Sequence, residues 1–83
     1  MEFELTNHAK HVLRERNIKR NWIQETLTSP EKVREDDEDP ELEHRLRTIR
    51  NFGNRVLRVI IKKGHDPILI ITAYFDRTVK GEL

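Results

Sequence analysis

The sequence predicts an α+β domain in which two N-terminal helices pack on one face of an antiparallel sheet. In the first half of the 83-residue chain, apolar residues recur three and four positions apart, the spacing of helices. The second half contains runs that are alternating or continuously apolar, which is typical of strands. A chain of this length supports one domain, so we expect residues 1–83 to form a single unit.

The first helix is predicted to begin at a cap formed by Thr6 or Asn7 and to end at Asn17, a residue type that tolerates positive φ. A second helix follows from about Lys19 and ends at Ser29, because the residue before a proline is disfavoured in helical geometry. Each helix has one apolar stripe, formed by Leu5, Ala9, Val12 and Leu13 in the first and by Trp22, Ile23, Thr26 and Leu27 in the second.

Three strong strand patterns cover residues 42–50, 55–62 and 68–75, and weaker ones cover residues 2–5 and 32–35. The run 68–75 is apolar on both faces, which predicts the central strand of the sheet. Its expected core residues are Leu69, Ile71, Ala73 and Phe75. The face turned away from the helices is expected to carry Arg45, Arg47, Arg58, Lys62, Thr72 and Tyr74.

The net charge of +1 hides a strong asymmetry. Residues 31–43 have a net charge of −6, and the rest of the chain has +7. A block of like charge is typical of a solvated, disordered connector. The alternative is a flap, the acidic loop 35–43, that competes with an anionic ligand for the basic remainder. Near-neutrality is therefore no evidence against an RNA partner.

Several kinds of protein and site are excluded or disfavoured. The absence of cysteine excludes disulfide scaffolds, thiolate metal sites and a cysteine nucleophile, and the only serine, Ser29, precedes a proline. His8 and His11 have no third ligand at a standard spacing, so we expect neither a metal nor a cofactor. There is no glycine-rich phosphate loop, no apolar run of about 20 residues and no secretory leader, so we expect a cytoplasmic protein with no membrane partner.

What remains is a site built from Arg, His and Tyr, which suits phosphodiester chemistry without a metal. Arginine stabilises charge that develops on phosphoryl oxygens, and histidine transfers protons near neutral pH. Tyr74 would donate a proton or stack on a base. The alternative for each residue is structural: a solvated arginine face, a packing role for His8, and an Arg16 that binds neighbouring chain segments.

Three segments resemble a family of small bacterial domains, catalogued as domain of unknown function four-two-five-eight. They are HAKHVLRERNI (8–18), TLTSPEKV (26–33) and ILIITAYFD (68–76). Such domains look like relatives of RelE-type toxins, which implies a RelE-like fold and a toxin of a toxin–antitoxin pair that cleaves RNA. The motif positions of the family fall on His8, Arg16 and Tyr74. The chain departs from the pattern at Val12, where the family often has Arg, and at Asn17, which replaces Gly.

The sequence therefore predicts a toxin-like, metal-independent endoribonuclease that acts on RNA or ribosome-bound mRNA and pairs with an antitoxin protein. The predicted catalytic residues are His8, Arg16, Arg47 and Tyr74, and the predicted nucleic-acid-binding residues are Arg45, Arg58, Lys62 and Arg77. One alternative is a non-catalytic module of the same fold that binds nucleic acid or protein. Another is a degenerate member whose acidic block mimics nucleic acid or occupies its own basic face.

Overall fold

The computed structural model describes residues 2–83 and confirms the predicted α+β class. Two helices and five strands follow one another as β1 (Phe3–Leu5), α1 (Asn7–Glu15), α2 (Arg20–Thr28), β2 (Lys32–Glu35), β3 (Leu42–Ile49), β4 (Arg55–Lys62) and β5 (Ile68–Phe75). There are also two 3₁₀ turns, Arg50–Phe52 between β3 and β4 and Arg77–Val79 after β5. We call the second one the C-terminal turn. The two weak strand patterns both form strands.

The sheet is mixed, with the strand order β1-β5-β4-β3-β2. Each strand from β2 to β5 pairs antiparallel with the next one along the chain. In contrast, β1 pairs parallel with β5, which aligns Phe3 with Ile68. The expectation of an antiparallel sheet was thus wrong at one edge. β4 is the middle strand, and β5 lies inside the sheet between β4 and β1, so the prediction of β5 as the central strand was also wrong. Its apolar character reflects its position inside the sheet, with β4 along one edge, β1 along the start of the other edge, and α1 packed against it.

The predicted helix boundaries are confirmed in detail. The Thr6 hydroxyl accepts a hydrogen bond from the Ala9 backbone N–H at 3.0 Å and so caps α1. Asn17 adopts the left-handed conformation, with φ of 52°, directly after this helix. α2 ends at Thr28, and the Ser29–Pro30 pair follows it.

Both helices pack on the same face of the sheet and bury one main core. Ile23, Leu27 and Leu57 are among its most deeply buried members, with at most 1% of their surface exposed. Burial of each such side chain contributes about 2 kcal/mol to stability. At one end of the core, the ring of Phe52 lies 5.0 Å from Trp22 and 5.0 Å from Phe75, measured between ring centroids. This aromatic cluster supports the end of the sheet at which the candidate site lies.

A β-bulge changes which side chains of β5 enter the core. Thr72 pairs with Ile60, but the next residue of β4, Ile61, pairs with Ile70, so Ile71 is the extra residue. Ile70 is consequently fully buried, whereas the predicted core residues Leu69 and Ile71 are half-buried. The predictions for Leu69 and Ile71 were wrong because one inserted residue reverses the alternation of faces.

The sheet face opposite the helices, which we call the open face, is partly covered by the end of the chain. Leu46 and Val56 form a second apolar cluster there with Val79 of the C-terminal turn, and Leu83 packs against it. The end of the chain therefore folds back over the open face at the end of the sheet where β4 begins and β5 ends.

Candidate functional site

His8 and Tyr74 lie along the same edge of the sheet. β1 covers β5 only from Ile68 to Ile70, and beyond this point α1 runs along the uncovered part of β5. His8 Nε2 lies 3.2 Å from Thr72 Oγ1 and forms a hydrogen bond with it. Thr72 and Tyr74 are two residues apart on one strand, so their side chains are on the same face, about 7 Å apart. His8 thus extends around the strand edge toward the open face that carries Tyr74.

Arg16, at the end of α1, is bound to the same edge. Its Nη1 donates a 2.8 Å hydrogen bond to the backbone oxygen of Ala73. This is the structural role that the sequence left open for Arg16. The contact uses one nitrogen of the guanidinium, and the exposed side chain also lines the cleft described next. A structural bond and an anion contact are therefore compatible in this residue, because guanidinium has five N–H donors.

A cleft of about 440 Å³, which we call the basic cleft, opens beside Tyr74. Four cationic side chains line it: Arg16, Arg55, Arg77 and Lys80. Its apolar wall consists of Phe52, Val56 and Phe75, and Asp76 is its only acidic residue among those described. The Arg55 guanidinium lies 4.7 Å from the ring centroid of Phe52, a cation–π distance. The cleft therefore combines positive charge with aromatic surface.

The charge of the basic cleft is not neutralised internally. Within residues 2–83, none of its four cations forms an ion pair. Asp76 is instead paired with Arg58, whose Nη2 lies 2.8 Å from Asp76 Oδ2, and both side chains are about nine-tenths buried. The hydrogen bond from the Thr78 hydroxyl is the main cause that holds the pKa of Asp76 below its usual range. Hydrogen bonds from the Thr78 amide and from Arg58 lower this pKa further. The cleft as a whole therefore attracts anions.

Arg58 continues into a chain of hydrogen bonds across the open face. Its Nη1 lies 2.8 Å from His44 Nδ1, and His44 Nε2 lies 2.6 Å from Asp36 Oδ1. Since arginine only donates, Nδ1 accepts from Arg58, which leaves the proton of a neutral His44 on Nε2, where it is donated to Asp36. Arg58, predicted to bind nucleic acid, thus lies on the open face as expected, but its guanidinium is already hydrogen-bonded to His44 and Asp76.

The acidic loop is ordered, so the interpretation of this segment as a disordered connector was wrong. Asp36 Oδ2 accepts hydrogen bonds from the backbone N–H groups of Glu38, at 3.2 Å, and Asp39, at 2.9 Å. These bonds, led by that from Asp39, lower the pKa of Asp36. Glu35 is paired with Lys63, and Glu41 lies 3.9 Å from Lys62. The loop is a tight connection between β2 and β3, as aspartate-rich sequences can form when their side chains accept local backbone bonds.

Arg45 and Arg47 were predicted to lie on the open face, but both lie on the face that the helices cover. Arg45 Nη1 donates to the backbone oxygen of Leu27 at 3.0 Å, and Arg47 Nη1 donates to that of Ser29 at 2.7 Å. Both side chains therefore face α2 and bind its C-terminal carbonyls, where cations are favourable. The alternation in β3 was predicted correctly, but its apolar residue Leu46 belongs to the open-face cluster and not to the main core.

The structure thus brings together three of the eight predicted site residues, Arg16, Tyr74 and Arg77, in the basic cleft, with His8 on the adjoining edge. Lys62 pairs with Leu42 at the other end of the sheet. The sequence interpretation missed Arg55, because in β4 it alternates onto the same face as the core residues Leu57 and Val59, and it missed Lys80, because that residue lies outside every strand. A usable signal was Asp76-Arg77-Thr78, in which an aspartate can bond to the backbone two residues later and turn the chain.

Among residues 2–83, no three His, Asp or Glu side chains converge as a metal site would require. Neither helix in this part of the chain has the length and apolar composition needed to cross a membrane.

Comparison with known proteins places most of the chain in one family. A model of the family described as "Domain of unknown function (DUF4258)" matches residues 5–75. The match includes His8, Arg16, Arg55 and Tyr74, and it ends just before Asp76 and the C-terminal turn. No curated protein and no solved structure matches the chain.

Proposed function

We infer the function of this chain from its own geometry, because it belongs to a family, DUF4258, whose description assigns none. We propose that it binds single-stranded RNA in the basic cleft and cleaves it without a metal, as a RelE-like toxin of the cytoplasm. The observation that carries the proposal is the set of four cations around Tyr74 that form no ion pair with any described residue. The likeness of DUF4258 domains to RelE-type toxins, noted from the sequence motifs, points in the same direction.

The shape of the basic cleft favours an unpaired strand. Its volume of about 440 Å³ accommodates one nucleotide, and its wall of Phe52 and Phe75 offers an apolar surface for a base. The stacking of Arg55 on Phe52 adds a cation at the edge of that surface. A base that is paired in a duplex cannot enter such a cleft without leaving its stack, which costs a few kcal/mol.

In the proposed reaction, a ribose 2′-oxygen attacks the adjacent phosphorus. The bond from phosphorus to the 2′-oxygen forms, and the bond to the 5′-oxygen of the next nucleotide breaks, leaving a 2′,3′-cyclic phosphate and a 5′-hydroxyl. His8 would accept the proton of the 2′-hydroxyl, and Tyr74 would donate one to the leaving oxygen. Arg16 and Arg77 would bind the phosphoryl oxygens and stabilise their growing charge.

The direct test is cleavage of a labelled single-stranded RNA in EDTA by the wild-type protein and the Tyr74→Phe variant. Because general acid catalysis contributes about 10²–10⁴-fold, we expect the variant to cleave at least about 100-fold more slowly. Its RNA affinity should be nearly unchanged, because the phenyl ring still stacks. The products should carry 2′,3′-cyclic phosphate ends by mass spectrometry.

The same pair should be tested on mRNA in a translating extract and for growth arrest on expression, since the proposed substrate includes ribosome-bound mRNA. The proposal is wrong if the wild-type protein cleaves neither RNA and expression leaves growth unchanged. A neighbouring gene that encodes a small antitoxin, whose co-expression restores growth, would support the toxin assignment.

The occupied His8 favours a second candidate, a non-catalytic RNA-binding module. Its Nε2 is already hydrogen-bonded to Thr72 Oγ1 and is therefore not free to accept the proton of a 2′-hydroxyl. Such a module would bind RNA without cutting it. Its affinity should fall steeply with salt, with a slope of about −0.7 for each phosphate neutralised on a single strand. A flat salt response would reject nucleic-acid binding and leave a protein partner.

A further inference from the structure

The most extensive side-chain network of the molecule lies outside the proposed reaction. It runs from Asp36 of the acidic loop through His44 of β3 and Arg58 of β4 to Asp76, which directly follows β5, and it continues to Thr78. Each step is a hydrogen bond of 2.6–3.0 Å. Arg58 and Asp76 are the most buried of the four, with 11% and 10% of their side-chain surfaces exposed. Since partly satisfied buried polar groups are costly, each member depends on its neighbours.

One end of this network fixes the C-terminal turn. Asp76 Oδ1 accepts from the Thr78 backbone N–H at 2.9 Å and from its hydroxyl at 2.6 Å, while Oδ2 accepts from Arg58. Asp76 thus caps the turn that carries Arg77, with Lys80 directly after it. Both of these cations line the basic cleft. Any loosening of Asp76 would therefore displace half of the positive charge of the cleft.

The other end of the network lies in the acidic loop. Asp36 accepts from His44 with Oδ1 and orders its own loop with Oδ2. The loop does not cover the basic cleft, because it joins β2 to β3 at the opposite end of the strands. β3 and β4 each have eight residues, so the two ends are on the order of 23 Å apart.

We propose that Asp36, His44 and Arg58 are positioning residues for the basic cleft: they fix Asp76 and, through it, the turn that carries Arg77 and Lys80. Asp36 acts first by keeping the His44 proton on Nε2, so that Nδ1 stays free to accept from Arg58. The acidic loop therefore strengthens RNA binding through hydrogen bonds, although its charge opposes an anion. The effect on RNA rests on the proposed function, whereas the ordering of the turn does not.

The experiment compares Asp36→Ala with Asp37→Ala. Both substitutions remove one negative charge from the same loop, but Asp37 is exposed and forms none of the bonds in the network. Binding is measured by fluorescence anisotropy with a labelled ten-nucleotide single-stranded RNA. We expect the Asp36→Ala variant to bind about three- to tenfold more weakly, because it loses a charged hydrogen-bond partner. The Asp37→Ala variant should bind as well as wild type or slightly better, because loss of an acid favours an anion.

A rescue pair tests the role of the Nδ1 atom of His44. His44→Leu removes the acceptor for Arg58, whereas His44→Asn retains an oxygen near the Nδ1 position. We expect RNA affinity to fall with leucine and to be largely restored with asparagine. A purely steric role for His44 predicts the opposite order, because leucine fills the space better than asparagine does.

Hydrogen exchange at the Thr78 amide is read in parallel by NMR on the same proteins without RNA. It should be faster in Asp36→Ala and His44→Leu than in Asp37→Ala and wild type, since this amide is held by Asp76. If wild type binds no RNA, the proposed function fails, and this exchange alone decides whether the network positions the turn. Equal exchange in Asp36→Ala and Asp37→Ala, or equal gains in their RNA affinity, would overturn the positioning role.

Discussion

The two ends of the sheet carry opposite charge and differ in how far that charge is paired within the protein. At the end where β2 joins β3, acidic side chains meet cations or local backbone donors, as in the pairs Glu35–Lys63 and Asp36–His44. At the end where β4 begins, four cations line one cleft and none of them forms an ion pair within residues 2–83. The acidic end is therefore largely satisfied by the protein itself, and the basic end is available to a ligand.

This difference shows why the net charge of +1 was uninformative. Charges that are paired at short range create little field at a distance, especially in salt. Cations that are grouped on aromatic walls without acidic partners retain their attraction for an anion. The availability of the charges, and not their sum, separates the two ends.

The largest effect is expected from removal of Asp76, the carboxylate at the basic end of the sheet. Asp76→Ala leaves Arg58 buried without its partner, and the loss of one member of a buried ion pair costs about 3–5 kcal/mol. We expect a decrease of about 3 kcal/mol in the free energy of unfolding, measured by urea denaturation. Asp37→Ala, the exposed control, should remain within about 0.5 kcal/mol of wild type. An equally small effect of both would mean that the buried pair contributes little.

A second test removes two positive charges from each end in turn. Arg77→Ala with Lys80→Ala should weaken binding of single-stranded RNA about tenfold and reduce the slope of log affinity against log salt by about 1.4. Lys62→Ala with Lys63→Ala removes the same charge from the acidic end and should change both quantities little. This pair also tests the sequence-based assignment of Lys62 to RNA binding. Equal losses would show that overall charge, and not the cleft, attracts RNA.

Acidification should remove stabilising interactions at both ends of the sheet and so lower the free energy of unfolding. The pKa values of Asp36 and Asp76 are lowered in the folded protein, mainly by hydrogen bonds from Asp39 and Thr78, and that of Glu31 is lowered by Thr48. A carboxyl group with a depressed folded-state pKa stabilises the fold above its unfolded pKa, near 4, and this contribution disappears as the pH falls through the folded value. We expect the free energy of unfolding to decrease from pH 5 toward pH 2.

Urea titrations at stepped pH measure this decrease. In the Asp76→Asn variant the dependence on pH should be shallower than in wild type, because one of the depressed carboxyl groups is gone. A stability that stays constant over this range would contradict the lowered pKa values.

The smallest expected effect concerns the ion pair Glu35–Lys63 at the acidic end. Two-thirds of the Glu35 side chain is exposed, so the pair is well solvated. Glu35→Gln should change the free energy of unfolding by less than about 1 kcal/mol. Thermal melts at low and high salt provide the measurement. A larger loss would show that the loop depends on this pair more than on the bonds made by Asp36.

Local sequence patterns predicted the elements well because their causes are local. The cap at Thr6, the left-handed Asn17 and the stop at Pro30 each depend on residues within one turn. The strand runs 55–62 and 68–75 match β4 and β5 because alternation and turn residues define them.

Features that depend on distant partners were beyond reach of the sequence. The bulge at Ile71 requires the register of β4, and the face of Arg45 depends on where the carbonyls of α2 end. Alternation in β3 correctly separated Arg45 and Arg47 from Leu46 but did not say which set faces the helices. Similarly, Lys80 joins the cleft only because Val79 packs back onto Leu46 and Val56. Tyr74, Arg16 and Arg77, which the sequence singled out through residue chemistry and motif resemblance, all line the basic cleft.

The parallel pairing of β1 with β5 also has a consequence for how the protein is made. Phe3 aligns with Ile68, and Thr6 and Arg16 bind backbone oxygens of Ile71 and Ala73, so the first strand and helix find their partners more than 50 residues later. During synthesis these partners leave the ribosome well after the first strand and helix, because chains emerge from the N-terminus. The sheet edge that carries His8 and Tyr74 therefore assembles only after β5 has emerged, and a truncated chain that lacks β5 has no such edge. Contacts this distant in sequence are also slow to form, so closure of β1 onto β5 should be a late step in folding.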